Sequence, residues 1–476
     1  MEKINFPEPH DILTEKPSLK KYLRYFLFFG PGAILVSMTI GQGQLIMGPQ
    51  IGAWAGYTLL WLITLNIGSY IIAYVGCRFT LLSGISTVDI FALKLRKGWL
   101  NWLFMILVLI FVPLFAATII NTLGQTICWI AGAGHPLFWG ISFSLFAVIL
   151  VLMGRYKLLE YTQAFFVAVL GIGAVASVIA IKPDILEIIP NFFLIGNVPS
   201  YPEWMPSSEI KPIPLVMLGY LGTLSITLIP LVGYLGWIKV KRWGIFKDKE
   251  NPDEYSKKLF NLFKKEKEIK YLPDEPEEIK KSRLLLKPIL IDLGIAFILV
   301  SIISASYMIA GSAILGEENI PTEKELLTNQ VEIFSSLKKD AQWLKPLYQI
   351  SLFFALFGTI YAGFEAVSRM FYETGKNIGN KIGKMDYKKF TLLFTLYIIA
   401  TGIPLSIWIF LGKSVILVLS ITLLFIGVIG VVMYGVGSIY ITQKILPEKY
   451  RMGKFGVFLV IAGIILMLIP FLFLFT

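Results

Sequence analysis

About eleven apolar runs dominate this chain, roughly at residues 25–54, 58–77, 99–122, 136–153, 159–181, 214–238, 288–313, 347–368, 390–411, 414–442 and 455–475. Most reach the about 20 residues that a helix needs to cross a bilayer. In hydrocarbon every backbone N–H and C=O must be paired within the protein, so such runs fold as helices. With 56% of 476 residues hydrophobic, 16% charged and a mean hydropathy of +0.72, a water-soluble globule is excluded. The expected class is an all-α integral membrane protein with about 11 transmembrane helices. The segment before Leu23 has no short apolar core followed by a small-residue cleavage site, so it is expected to stay in the cytosol rather than be removed.

Basic residues set the expected orientation. Lys182, Lys211, Lys324, Lys338, Lys339, Lys345 and Lys413 fall in alternate connections, and the rest of the 43 Lys and Arg fall in the others. The positive-inside rule therefore predicts a multi-pass protein of the cell membrane with the N-terminus cytosolic and the C-terminus outside. The formal charge of +12 becomes a feature of the inner surface facing anionic lipid. No basic cluster sits on a soluble domain of its own, so nucleic acid is not an expected partner. The connections divide the chain into a cytosolic segment 1–24, a first bundle 25–181, an outer loop 182–213, a second bundle 214–442 with a cytosolic insertion 240–287, and a terminal portion 443–476. In the insertion, Tyr255, Leu259, Phe260, Leu262 and Phe263 predict an amphipathic helix at the solvent or lipid surface. The acidic outer stretch 315–346, with Glu317, Glu318, Glu323, Glu325 and Glu332, reads as a solvated face.

One run is interrupted. Gly41-Gln42-Gly43-Gln44 sits in the middle of the first apolar segment, where unpaired backbone groups survive only around a polar cavity or inside protein. Secondary transporters build substrate sites from such half-helices. The inner half would offer carbonyls from around Met38 to Gly41, the outer half N–H groups near Gln44, and the glycines close approach. Hydrated magnesium, sodium or potassium suits the carbonyls and the carboxamides of Gln42 and Gln44. A zwitterionic solute such as an amino acid suits the free amides equally. The two glutamines can also serve simply to pair broken backbone, and Met38 and Met47, which flank the break, to fill gaps in packing.

The order Gly30-Pro31-Gly32, then after eight residues Gly41-Gln42-Gly43-Gln44, then Gln50, Gly52, Ala53, Gly56, Tyr57, Leu59, Leu60 and Trp61 resembles the first two helices of the Nramp (natural resistance-associated macrophage protein) family. That family comprises proton-coupled importers of divalent metals. The resemblance implies a leucine-transporter-type fold, with helices one to five and six to ten as inverted repeats and the first and sixth helices broken. It also implies site positions. Gly41 and Gln44 stand where the family has its Asp and Asn ligands. In the segment Gly219 to Leu228, Thr223 keeps a carbonyl ligand, Ile226 and Leu228 replace the family's Met and His, and Thr227 lies between them. Substrate contact is thus expected at Gly41, Gln42, Gly43, Gln44, Thr223, Ile226 and Thr227, with no confident metal ligand.

Buried carboxylates and histidines are the usual carriers of protons in membranes. Only Glu160, Asp292 and Glu365 fall within the spans, all near ends, while His10 and His135 lie outside. Each has a local explanation. Glu160 and Asp292 would favour the dipoles of the helices they begin, and Glu365 would pair with Arg369 one turn on. A gating or ion-pathway role is the alternative for these three. The same alternative holds for Asn121 and Gln125, whose other role, with Thr122 and Asn66, is hydrogen bonding between helices. No nucleophile with a base, phosphate loop or cofactor motif appears, so neither an enzyme nor a resident cofactor is expected. The readings left are a cation transporter working by alternating access, a transporter of a small organic solute on the same fold, and a non-transporting sensor or scaffold.

Overall fold

The structure is a computed structural model that describes residues 3–153, 156–317, 319–323, 326–335, 337 and 343–475, without the side chains of 156–163 and 380. Among the described residues it is helical throughout, with no strand. In chain order the main helices are α1 (Pro31–Thr39), α2 (Gly48–Ala55), α3 (Ile67–Ser83), α4 (Thr87–Lys94), α5 (Trp99–Ala131), α6 (Pro136–Leu152), α7 (Tyr156–Ile181), α8 (Ile213–Leu224) and α9 (Leu228–Val240). They continue as α10 (Pro252–Glu266), α11 (Pro276–Leu285), α12 (Lys287–Ile314), α13 (Leu344–Gly375), α14 (Tyr387–Phe410), α15 (Val415–Leu423), α16 (Gly430–Lys444) and α17 (Lys454–Leu468). Nine helices among the described residues are long and apolar enough to cross a membrane. The expected count of eleven is not reached, because the first run is split into the short α1 and α2 and the fourth, Pro136–Leu152, is a shorter apolar helix.

The split has a local cause. Pro31 opens α1, where its missing N–H is harmless, and the helix stops at Ile40 with φ −78° and ψ 82°. Pro49 then sits early in the following helix, with no N–H to give and a ring that crowds the carbonyl four residues back. The chain answers with a wide π-turn over Gly43–Met47 before α2 begins. The second break separates α8 from α9, with Ser225 (ψ 151°) and Thr227 (ψ 165°) extended.

Burial orders the bundle. In the most apolar stretch of the span containing α8 and α9, 89% of the residues are buried, against 22% in that of the span containing α17, so the second broken helix is central and the last helix peripheral. Small residues let the backbones close. A Cβ on Gly52 would lie 2.0 Å from the Met308 carbonyl, and one on Gly311 2.3 Å from that of Pro49, so α2 and α12 touch backbone to backbone.

The insertion departs from expectation. α10 is not a free surface helix, because Leu259, Phe260 and Phe263 are buried in the core. Ser256 donates to the Gly84 carbonyl (2.6 Å), and Tyr271 to that of Ser83 (2.6 Å). Its apolar stripe found a protein surface, the C-terminal end of α3, in place of lipid. Nor is Glu323 part of a solvated face: its carboxylate accepts from the Val415 N–H (2.8 Å) and from Ser414 at the start of α15.

Candidate functional site

The two breaks face each other. A Cβ on Gly43 would fall 2.0 Å from Cγ2 of Thr223, so only glycine permits this approach of the π-turn to the end of α8. Gln44 spans the contact: its Nε2 donates to the Thr223 carbonyl at 2.8 Å, and its Oε1 lies 3.5 Å from the Gly41 N–H. Gln42 turns the other way, accepting from Thr118 Oγ1 (3.1 Å) and donating to Thr122 Oγ1 (3.2 Å), both on α5. Beside these groups lies a cavity of about 100 Å³, walled by Gly41 to Gln44, Thr223, Ser225, Thr227 and, from α13, Thr359. No charged side chain among the described residues lines it. Gln42, Gln44 and Thr223 are buried, while Met38, Thr39, Thr227 and Thr359 are half-buried.

The backbone at the breaks is partly paired. The carbonyls of Val36 and Thr39 take the N–H groups of Ile40 and Gly41. Asn66 donates to the Leu224 carbonyl (2.8 Å), and Ser69 Oγ accepts from the Ile226 N–H (3.4 Å). At the start of α9, Thr227 makes no side-chain cap, which leaves first-turn amides of that helix free. The wall therefore combines carbonyl and hydroxyl oxygens, the carboxamides of Gln42 and Gln44 and oriented amides, with no titratable group among the described residues. Such a set takes hard cations through oxygen and offers no imidazole or thiolate to a soft one.

Of the expected residues, Gly41, Gln42, Gly43, Gln44, Thr223 and Thr227 come together around the cavity. Ile226 does not; it is fully buried, and its N–H is spent on Ser69. Met38 lines the wall, whereas Met47 is buried in the core. Asn121 donates to the Ala117 and Ser406 carbonyls and joins α5 to α14, and Gln125 donates to the Glu323 carbonyl. Neither lines the cavity. Glu365 pairs with Arg369 at 2.7 Å, as the one-turn spacing implies. Glu160 lies in α7, and its side chain falls outside the described residues.

Asp292 differs from the sequence reading. It is buried within α12, and instead of serving its own helix it caps another. It accepts from the N–H groups of Gly30 (2.8 Å) and Gly32 (2.7 Å) at the start of α1, and from the hydroxyl of Tyr234 on α9. Thr359 and Ser69 were not foreseen. Each is a lone hydroxyl in an apolar run, with no pattern to mark it.

A family model described as natural resistance-associated macrophage protein-like matches residues 32–476. The divalent metal cation transporters MntH of Listeria welshimeri and Listeria monocytogenes are 25% identical over 222 residues, which is 45% of this chain and 46% of theirs. The chain thus matches about half the length of these curated relatives. Among solved structures, a mutant form of the Eremococcus coleocola manganese transporter superposes with a TM-score of 0.61 at 14% identity, covering 98% of this chain and 89% of that one. MhsT in complex with L-phenylalanine gives 0.51 at 18% identity, with 93% and 98% covered. Such identities speak to the fold, which is of the leucine-transporter type with its first and sixth helices broken.

Proposed function

The chain belongs to the natural resistance-associated macrophage protein-like family, and from that premise we propose that it is a secondary transporter moving a metal ion or other cation across the cell membrane by alternating access. One observation carries the reading: two interrupted helices meet at a buried cavity whose wall is peptide carbonyl, hydroxyl and carboxamide. Half-helices of this kind supply the ion and substrate sites of secondary transporters.

Gln44 is the residue on which the site turns. Its Nε2 occupies the Thr223 carbonyl, the oxygen a cation would use. An arriving cation takes that carbonyl, and the carboxamide turns so that Oε1 faces the ion as a second ligand. The protein thus exchanges one internal hydrogen bond for two ion contacts. Gln42 keeps its bonds to Thr118 and Thr122 and holds the π-turn against α5. An all-oxygen neutral set leaves a hard cation part of its water, as magnesium prefers. It gives a proton no acceptor at the breaks, so coupling through buried acids is not part of this reading.

Family membership favours the cation over an organic solute. A sensor or scaffold would have only the insertion 240–287 to support it, and that insertion spends its apolar face on the transporter body itself. We place the N-terminus and α10 in the cytosol, the C-terminus outside, and the repeats at 25–181 and 214–442, on the strength of the basic-residue asymmetry.

The test is uptake into proteoliposomes with a panel of divalent metals, alkali ions and labelled amino acids. At least one cation is expected to be accumulated, and Gln44→Ala to abolish its uptake while leaving the unfolding temperature near the parent value. Accumulation of amino acids alone, or unchanged uptake by the variant, would remove the cation reading or Gln44 from it.

A further inference from the structure

A second cavity, of about 640 Å³, lies away from the breaks, between α3, α12 and α17. Its long wall is apolar, with Ile67, Ile71, Phe297, Leu459 and Val460, and one end carries Arg78, Arg283 and Arg451. Among the described residues none of the three arginines is in an ion pair. Arg78 gives Nη2 to the Tyr450 carbonyl at 2.7 Å, but its Nη1 is buried with no partner. The Tyr70 hydroxyl, on a side chain only 5% exposed in the same wall, has none either. Arg451 gives Nε to the Leu446 carbonyl at 3.0 Å, and the remaining guanidinium N–H groups of Arg283 and Arg451 are exposed at the same end; the two buried donors beside this apolar slot receive no acceptor from the protein.

We propose that this cleft holds one anionic glycerophospholipid, its phosphate on Arg78, Arg283 and Arg451 and an acyl chain along α3, α12 and α17. Length fits. From Ile67 to Arg78 the helix rises about 16 Å, close to half of the roughly 30 Å hydrocarbon core. The chemistry fits as well, since guanidinium forks bind phosphate oxygens in pairs where lysine offers a point charge. The proposal rests on the membrane-embedded reading with the α11 end in the cytosol, where anionic lipid is met.

Lipid retention tests it without transport. Full-length protein, purified in mild detergent, is mixed with phosphatidylglycerol or phosphatidylcholine of the same chains and examined by native mass spectrometry. The parent should keep one phosphatidylglycerol in preference to phosphatidylcholine. Arg283→Ala and Arg451→Ala should each weaken retention about fivefold. A Cβ on Gly294 meets nothing within 4 Å, so Gly294→Leu can fold while filling the slot, and it should abolish retention. Lys257→Ala on α10, outside the cleft, should change nothing. Equal retention of both lipids, no effect of either arginine variant, displacement by inorganic phosphate alone, or dimers in place of bound lipid would each overturn the proposal. A protein that carries no cation can still pass this test, and a competent transporter can fail it.

Discussion

Gln42 and Gln44 are two residues apart and do different work because the π-turn aims them at different helices. Gln42 is fixed at both ends of its carboxamide by α5, while Gln44 makes one strong bond to a carbonyl that it can surrender. The break itself was legible, since Gly-Gln-Gly-Gln in an apolar run has no other stable explanation. The partners were not, because they lie 80 and 179 residues away, beyond the reach of local pattern. Ile226 shows the opposite failure: alignment placed it at the site, and packing put its side chain in the core. Gly43 gives the sharpest test at this scale. A methyl there would overlap Thr223 at 2.0 Å with backbone on one side and a buried helix end on the other. Gly43→Ala is expected to cost about 1–3 kcal/mol and to abolish uptake, because it forces the two breaks apart. A parental unfolding temperature with full uptake would mean that the approach of the breaks is not required.

Helices in this bundle end on one another's side chains. The start of α1 is the clearest case, since its first amides are taken by a carboxylate from α12 that also receives the Tyr234 hydroxyl of α9. Sequence placed Asp292 near a helix start and assigned it to its own helix, but a side chain carries no mark of which element it will cap. Charge at a helix N-terminus favours that helix whichever element supplies it. Removing Asp292 leaves two amides and a hydroxyl buried without an acceptor, at about 1–3 kcal/mol for each unsatisfied group. Asp292→Ala should therefore raise hydrogen exchange over residues 30–39 before it affects α2 or α8. Uniform exchange along the chain, or none, would show that α1 is held by packing instead. The same logic explains α10. Its amphipathic stripe was readable, and the choice between lipid and protein as its partner was made by the Gly84 turn, against which Leu259 packs.

Across the whole molecule, distant segments converge at the face opposite the start of α1, and Glu323 is where they meet. Its carboxylate takes the Val415 N–H and the Ser414 hydroxyl and lies 3.6 Å from the Lys211 ammonium, while its carbonyl accepts from Gln125. One loop residue thus ties α15, the segment before α8, and α5. The family resemblance conveyed the helix order and both breaks, but composition marked this loop only as acidic, since charge counts do not say which carboxylate is buried. Burial raises the Glu323 carboxyl above its ordinary value of 4.5 against the opposing pull of Ser414, Lys211 and the Val415 amide. Between the ordinary and the raised value the folded protein holds more protons than the unfolded chain, so stability should fall as pH climbs through that window and level off above it. Glu323→Gln keeps an acceptor and cannot ionise. It should flatten that part of the profile of unfolding temperature against pH, measured in detergent, relative to the parent. Parallel profiles for the two proteins would show that another group sets the acid dependence, and that the clasp at Glu323 holds through its neutral hydrogen bonds.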